Sequence, residues 1–502
     1  MTDQRMSQRE LESYLWGVAT KLRGLVDASD YKQYVFPLLF FKRLSDVWDE
    51  DYQNAFDETR DEGYARDTAN DHFLIPEGGH WSDVRTVSSD VGRALVNAFR
   101  AIEIANPERL SSIFGSASWT DKTQMPDANL KELIEHLSER RLDLARVPED
   151  ELGNGYEYLI KQFADDSGHT AQEFYTNRTV VHLMTRMLEP HPGESIYDPT
   201  CGTGGMLISS LIEVKRQGGD YRTLGLFGQE LIATTSAIAR MNLVLHGVED
   251  FHIATGNTLS SPAFTEGDRL RTFDVVMANP PYSIKKWNRE AWQQDPWGRN
   301  FLGTPPQGRA DYAFFQHILK SLDTRTGRCA ILFPHGVLFR NEEADLRLKL
   351  IESDLLECVL GLGPNLFYNS PMEACIVVCR TSKPADRKGK VLFINAVEEV
   401  TRDRAQSFLK EEHQERIVDM YGRFESVAGF SSVVTADHIL ERNGSLSIPL
   451  YVKKASTTDP DDGGGTLAEA WARFDDKGPA FWRQMDALVD SLDAFTSKAN
   501  RD

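Results

Sequence analysis

The chain has 502 residues, enough for two or three domains with substantial cores, and its formal net charge is −20. No apolar run approaches the roughly 18 residues that cross a bilayer, and the polar N-terminus lacks a signal-peptide core, so we expect a cytoplasmic protein. The five cysteines show neither disulfide nor metal-ligand spacing, so we expect no metal site.

Residues 1–150 are predicted to be mostly helical. Apolar residues recur at helical spacing in residues 11–22 and again in residues 130–137. Pro37 is expected to kink or break the helix that contains the aromatic-rich residues 31–48. No cluster of chemically reactive side chains stands out here, so the aromatic residues are expected to lie in a core or an interface.

A short strand, a glycine turn and a helix are predicted in succession over residues 195–208. The turn region contains Asp198, Gly202, Thr203, Gly204 and Gly205. In this layout the backbone amides at a helix N-terminus meet a ligand, and an acid at the strand tip can accept from a ligand ammonium group. The spacing is not G-x-G-x-x-G, so it does not predict NAD or FAD. The alternative is a plain connection between strand and helix.

The next two predicted strands, residues 224–228 and 251–254, each lead into a polar residue. Glu230 follows the first, where an acid in a nucleotide-binding sheet takes the ribose hydroxyls. The alternative is an ordinary solvated acid at a helix start. Asn257 follows the second strand, and an amide there is suited to reach an adenine ring.

The sequence Asn279-Pro280-Pro281-Tyr282 follows an apolar run, residues 273–278, that predicts a buried strand. The two prolines end that strand, because neither can donate to a ladder. The Asn279 amide oxygen and the Pro280 carbonyl can together accept hydrogen bonds from both N–H groups of a planar NH2 group. Tyr282 offers a flat face for stacking. The motif therefore predicts a site that holds an amino group, and a simple strand-terminal turn is the alternative.

A basic loop comes directly after this motif. Lys285, Lys286 and Arg289 are candidates for phosphate contacts, with Arg299 and Arg309 further along the chain. The alternative is a solvated basic loop with no ligand.

The rest of the chain completes an α/β architecture. A helix is predicted at residues 311–322, and strands at 329–333, 355–360 and 374–379 bring the expected sheet to seven strands. Cys375 and Cys379 are expected to be core residues. A linker at residues 456–465 precedes an amphipathic helix, residues 467–492, which is expected either to dock on a partner or to pack back on its own domain.

The order of these motifs resembles that of the gamma-class DNA adenine-N6 methyltransferases. Residues 30–46, 367–371 and 446–452 are similar to segments of the modification (M) subunits of Type I restriction–modification systems, and the resemblance spans residues 5–453. A further segment looks like the family's Phe-Tyr-Thr motif, which contacts the methionine part of the cofactor; it comprises Glu173, Phe174, Tyr175, Thr176, Asn177 and Arg178.

The resemblance implies a Rossmann-like, seven-stranded S-adenosylmethionine-dependent methyltransferase domain at residues 151–453. It also implies that the helical domain, residues 1–150, helps to clamp DNA and that residues 454–502 form a C-terminal helical tail for subunit docking. Asn177 departs from the family, where proline is usual, and is expected to loosen the cofactor loop slightly. Leu450 stands where arginine is common, at an interface.

The implied activity is site-specific methylation of adenine N6 in double-stranded DNA, with a base turned out of the helix. No segment has the size of a separate target-recognition domain, so a specificity (S) subunit is expected to read the sequence. The acidic net charge agrees with a partner that supplies part of the DNA contact. A second copy of the chain, and in some systems a restriction (R) subunit, complete the expected complex.

Three alternatives remain open from the sequence. Glutamine methyltransferases of release factors also use Asn-Pro-Pro-Tyr, because a side-chain amide presents the same NH2 group. The chain can instead be a non-catalytic assembly subunit that keeps the fold. An adenine in RNA is a variant of the main interpretation.

Overall fold

The structure, a computed structural model, describes residues 5–27, 30–166, 176–366, 373–403 and 406–453. Within these ranges no helix is both long enough and apolar enough to span a bilayer. The predicted linker and C-terminal helix lie outside the described residues.

The N-terminal part of the described chain is helical, as predicted. Its helices are α1 Gln8–Leu22, α2 Tyr31–Thr59, α3 Glu62–Ala69, α4 Trp81–Thr86, α5 Val91–Ala105, α6 Pro107–Leu110, α7 Asp127–Ser138 and α8 Glu149–Asp166. The apolar positions that predicted α1 and α7 all face the core: Leu11, Leu15, Val18, Leu22, Leu130, Leu133, Ile134 and Leu137. A capping box between Ser7 and Glu10 begins α1.

Of the two outcomes expected at Pro37, a kink or a break of the helix, the break is wrong, because α2 runs through it without interruption for 29 residues. Proline in a helix interior costs about 3 kcal/mol. Every residue from Val35 to Phe41 is buried. Burying one large apolar side chain contributes about 1.5–3 kcal/mol, so this packing more than offsets the lost hydrogen bond.

The C-terminal part is built on one mixed sheet. Its strands are β1 Ser195–Asp198, β2 Gly225–Glu230, β3 Phe251–Thr255, β6 Val275–Ala278, β7 Arg328–Pro334, β8 Leu356–Leu362, β9 Ala374–Arg380, β10 Lys390–Ala396 and β13 Ser431–Thr435. Two small hairpins, β4 Thr265–Glu266 with β5 Arg269–Leu270 and β11 Thr401–Asp403 with β12 Gln406–Phe408, lie outside it.

The strand order is β13-β10-β8-β9-β7-β6-β1-β2-β3. Strands β1, β2, β3, β6 and β7 are parallel, whereas β9 runs antiparallel between β7 and β8. All seven predicted strands are present, and the described sheet has two more, β10 and β13. The chain order reverses between β1 and β6, which is where open α/β sheets bind ligands at the carboxyl ends of their strands.

Helices cover both faces of the sheet. They are α9 Arg178–Leu188, α10 Gly205–Arg216, α11 Ala233–Leu245, α12 Arg289–Gln293, α13 Asp311–Lys320, α14 Ala344–Glu352, α15 Glu411–Arg423 and α16 Ala436–Leu440. Helices α9, α10 and α15 share one apolar cluster with the sheet, and α13, α14 and α16 share another. Cys375 and Cys379 are buried in β9, which confirms their predicted place in the core.

Helix α11 joins the helical part to the sheet. Ala237, Ile238, Met241 and Leu245 of α11 belong to the apolar cluster of the N-terminal helices. Helix α8 belongs to the same cluster, and the Tyr156 hydroxyl donates to the Ile238 carbonyl at 3.4 Å. The N-terminal helices therefore pack against the helix that follows β2.

Candidate active site

The predicted site residues gather at the carboxyl edge of the parallel strands. Asp198 ends β1, Glu230 ends β2, and Asn279 follows the last residue of β6. Because β1 pairs with both β2 and β6, the three polar residues stand side by side at the point where the strand order reverses.

The turn between β1 and α10 has glycine at two positions with different surroundings. Gly204 has φ +83°, in the left-handed region that favours glycine. A Cβ atom on Gly205 would lie 1.6 Å from Nη1 of Arg178. Asn242 Nδ2 donates to the Thr203 carbonyl at 3.0 Å, which fixes the turn from the side of α11.

Arg178, one of the residues predicted to bind the cofactor, lies against the glycine turn. It forms an ion pair with Glu157 of α8, and Asn242 Nδ2 donates to Glu157 Oε1 at 2.7 Å. The sequence analysis missed Glu157 and Asn242. The available signal was an Asn within the apolar run of residues 241–245, where a buried amide needs partners, whereas the sequence around Glu157 carries none.

Asp198 is only 2% exposed, and its Oδ1 accepts from the Thr200 amide at 3.0 Å. Burial raises the pKa of this carboxyl group to about 7, and the nearby Glu230 carboxylate contributes in the same direction. A carboxyl group in this environment is suited to a cationic ligand, because a positive charge stabilises its ionised form.

Glu230 holds the glycine turn to the end of β2. Its Oε2 accepts from the Gly202 amide at 3.0 Å, and its Oε1 accepts from the Ile232 amide at 2.9 Å. A carboxylate has about four lone-pair positions, so the same group can also accept from ligand hydroxyls.

Two apolar side chains beside Glu230 are exposed. Leu231 is 61% exposed and Ile232 is 37% exposed. They offer an apolar surface next to the carboxylates, suited to a flat ring, and the sequence analysis missed them. The sequence signal that could have identified them is an apolar pair directly after the acid that ends a strand. Asn257 is exposed, and its Oδ1 caps the following turn by accepting from the Leu259 amide at 2.9 Å.

Asn279 contacts both a neighbouring loop and its own motif. Its Nδ2 donates to Thr176 Oγ1 at 2.9 Å, and its Oδ1 accepts from the Tyr282 hydroxyl at 2.5 Å. Burial raises the pKa of the Tyr282 phenol, so the hydroxyl is protonated and donates. The sequence analysis assigned a role to the ring of Tyr282 and missed its hydroxyl. Pro280 is buried and Pro281 is half-buried.

The segment before α9 is only partly described. Glu173, Phe174 and Tyr175 lie outside the described residues. Asn177 is the N-cap of α9: its Oδ1 accepts from the Thr179 amide at 3.0 Å, and its Nδ2 donates to the Ser407 carbonyl at 2.9 Å. Asn177 therefore anchors the start of α9 at two points.

The basic residues after Tyr282 differ in their surroundings. Lys285 and Lys286 are exposed, and Arg289 Nε donates to the Pro305 carbonyl at 2.8 Å. The suggestion that Arg299 contacts phosphates is wrong, because this residue is 1% exposed and ion-paired with Asp295. Its guanidinium group also donates to the carbonyls of residues 258 and 259, which ties the basic loop to the turn after β3.

Comparison with known proteins was consistent over both parts of the chain. A family described as N-6 DNA Methylase matches residues 147–460, and one described as HsdM N-terminal domain matches residues 11–137. The chain is 31% identical over 451 residues to the Type I restriction enzyme MjaVII methylase subunit of Methanocaldococcus jannaschii, across 84% of this chain and 74% of that protein.

Two further relatives are similar to the chain over nearly the whole of their own length. The Type I restriction enzyme MpnII methylase subunit of Mycoplasma pneumoniae is 27% identical, across 90% of this chain and 91% of that protein. Among solved structures, the type I restriction-modification system methyltransferase subunit from Streptococcus thermophilus is similar with a TM-score of 0.79 at 29% identity, across 89% of this chain and 100% of that one.

Asp198→Asn is expected to stabilise the protein at pH 8 when no ligand is added. The folded protein holds the Asp198 proton more tightly than the unfolded chain does, because the pKa is about 7 in the folded state and about 4 in the unfolded state. The free energy of unfolding therefore falls as the pH rises through this interval, and the uncharged amide removes that loss.

Calorimetry at two pH values measures this effect. The variant is expected to melt about 2–5 °C above the wild type at pH 8 and about one third as far above it at pH 5, because pH 5 lies about one unit into the interval of about three units. A variant that is less stable than the wild type at pH 8 would contradict the raised pKa.

Proposed function

The chain belongs to the N-6 DNA methylase family and is a modification subunit of a Type I restriction–modification system, and from that premise we propose that it transfers a methyl group from S-adenosylmethionine to N6 of adenine in double-stranded DNA. The observation that carries the proposal is the 2.9 Å hydrogen bond between Asn279 and Thr176. It joins the loop suited to an amino group to the segment expected to meet the cofactor.

The residues along the strand ends suit S-adenosylmethionine. Asp198 faces a cationic ligand group, Glu230 accepts from ribose hydroxyls, and Leu231 with Ile232 covers the adenine ring. Asn257 stands at the same edge of the sheet. When bound, S-adenosylmethionine supplies an electrophilic methyl group on a sulfonium centre.

Asn279 and its neighbours act on the target amine. The amine of adenine is a poor nucleophile, since its lone pair is delocalised into the ring. Asn279 Oδ1 and the Pro280 carbonyl accept hydrogen bonds from its two N–H groups, which favours a more tetrahedral and more nucleophilic nitrogen. One of these protons is lost after methylation has made the nitrogen cationic. Thr176 holds Asn279 Nδ2, and the amide oxygen accepts from the Tyr282 hydroxyl on one lone pair, so its second lone pair faces the amine. Tyr282 stacks on the extrahelical base.

The proposal requires partners for sequence recognition. A specificity subunit reads the DNA sequence, a second copy of this chain completes the modification complex, and a restriction subunit joins it where one is present. The complex acts in the cytoplasm, where its DNA substrate lies. The net charge of −20 supports this division of labour, since an acidic chain alone binds a polyanion weakly.

The alternatives from the sequence are less well supported. Membership of the N-6 DNA methylase family favours a DNA target over a protein glutamine or an RNA. The ordered contacts of Asn279 with Thr176 and Tyr282 favour an active subunit over one that only assembles.

Asn279→Ala is expected to abolish transfer while leaving the cofactor site intact. Removing one preorganised polar contact at a reacting group costs about 100-fold or more in rate, so the initial rate of methyl transfer should fall at least that far. Calorimetry should give a dissociation constant for S-adenosylmethionine within about twofold of the wild type. Tyr282→Phe is the matched control, since it keeps the ring and should retain transfer to within about tenfold. Full methylation by the alanine variant would end this assignment.

Charge reversal at Lys285 and Lys286 is expected to weaken DNA binding and its salt dependence. Each lost phosphate contact removes about one unit from the slope of log K against log salt, so the double variant should have a slope about two units shallower. Reversal of Arg325 and Lys388, two exposed residues at the opposite edge of the sheet, is the control with the same change in charge. Equal slopes for both double variants would show that the loop does not contact phosphates.

Methylation is expected to depend on the specificity subunit. The chain alone and the chain reconstituted with that subunit are compared on the same duplex DNA with a radiolabelled methyl donor. Only the complex should methylate one defined sequence, at a rate at least about 100-fold above that of the chain alone. Robust site-specific methylation by the isolated chain would refute the division of labour.

A further inference from the structure

The residue after Tyr282 has an uncommon backbone conformation. Ser283 has φ 51°, in the left-handed region that non-glycine residues rarely adopt. Its amide donates to Oδ1 of Asp311 at 2.8 Å. The Asp311 side chain is 1% exposed, so this hydrogen bond is shielded from water. A buried charged acceptor thus holds the turn that directly follows the target-base motif.

Asp311 makes a second contact on its other oxygen. Arg340, which follows β7, donates from Nη1 to Asp311 Oδ2 at 2.7 Å. Asp311 is the first residue of α13, where an acid often interacts favourably with the N-terminus of its own helix. In this helix, however, no side chain caps the N-terminus. Both oxygens of Asp311 are instead bonded to other elements, one to the loop after β6 and one to the segment after β7.

Arg340 is itself fixed from several directions. The Glu343 carboxylate, which is fully buried, lies 3.6 Å from Arg340 Nη1. Arg347 Nη1 donates to the Arg340 carbonyl at 2.8 Å. A Cβ atom on Gly336 would lie 2.3 Å from Arg340 Nε, so the side chain packs directly on the backbone of the preceding turn. The guanidinium group therefore lies between two carboxylates and against the backbone of Gly336, where it pairs with Asp311.

We propose that Asp311 and Arg340 are positioning residues for methyl transfer, which hold Ser283 in its left-handed conformation and thereby direct the Tyr282 hydroxyl and ring toward Asn279. This inference rests on the proposed function. Neither residue contacts the substrate; they act through the turn at Ser283. Tyr282 directly precedes Ser283 in the chain. Its hydroxyl therefore reaches Asn279 Oδ1 at 2.5 Å only while the backbone turn at Ser283 keeps its conformation.

Two substitutions at Asp311 and one at Ser283 test the arrangement. Asp311→Ala removes both contacts. Asp311→Asn keeps an oxygen for the Ser283 amide and loses the charge that faces Arg340, so it is the milder variant if the alanine protein folds poorly. Ser283→Gly removes the steric cost of a positive φ, so it should partly rescue Asp311→Ala. Asp354→Ala is the control, because Asp354, whose side chain is 38% exposed, likewise pairs with a cation, Lys383, and accepts a backbone amide, at the opposite edge of the sheet.

The rate of amide hydrogen exchange in the full chain measures the stability of the turn independently of activity. In Asp311→Ala the peptide that covers residues 279–286 should exchange at least about tenfold faster, and in Asp354→Ala at the wild-type rate. Unchanged exchange in Asp311→Ala would overturn the inference.

The rate of methyl transfer by the complete complex then shows whether the turn affects catalysis. Asp311→Ala should lower kcat about 10- to 100-fold with the dissociation constant for S-adenosylmethionine within about twofold, and adding Ser283→Gly should recover about threefold or more. Asp354→Ala should stay within twofold of the wild type. Faster exchange with an unchanged kcat, or no recovery with glycine, would overturn the positioning role. A wild-type complex that methylates no DNA would instead refute the proposed function, and the exchange measurement would still decide whether Asp311 holds the turn.

Discussion

The hydrogen bond from Asn279 Nδ2 to Thr176 Oγ1 joins two segments that lie 103 residues apart in the chain. Its effect is to orient one amide group. Because the NH2 side of the amide is engaged by Thr176, the oxygen faces the other way, where it accepts from Tyr282. An acceptor of fixed orientation at the end of a central strand is what recognition of an amino group requires, and the rest of the sheet edge is arranged around it.

The support for this edge extends through the whole described chain. The N-terminal helices pack on α11, α11 carries Asn242, and Asn242 connects Glu157 to the glycine turn. The helical part thus supports the glycine turn at the edge of the sheet. The site also has a cost in stability, since Asp198 is buried beside a second carboxylate. A ligand with a positive charge offsets that cost, which couples ligand binding to stability.

Much of the fold was predictable, because it depends on local patterns. The apolar runs predicted all seven strands that carry or flank the site, and helical spacing predicted α1 and α7. The strand β10 was missed, as was the edge strand β13. Continuity of α2 through Pro37 depends on tertiary packing, which a local rule about proline does not include. The site residues found by motif lie on loops with special backbone geometry, whereas Glu157, Asn242 and Asp311 act through contacts between distant elements. The burial of Arg299 is likewise a tertiary property, invisible in a basic stretch of sequence.

The central claim is that this sheet edge presents an adenine amine to a methyl donor. The most direct test is to incubate duplex DNA with the complete complex and methyl-labelled S-adenosylmethionine, digest the DNA to nucleosides and identify the labelled product by mass spectrometry. The account predicts label in N6-methyldeoxyadenosine. Label in a methylated cytosine, or in protein with none in DNA, would contradict it.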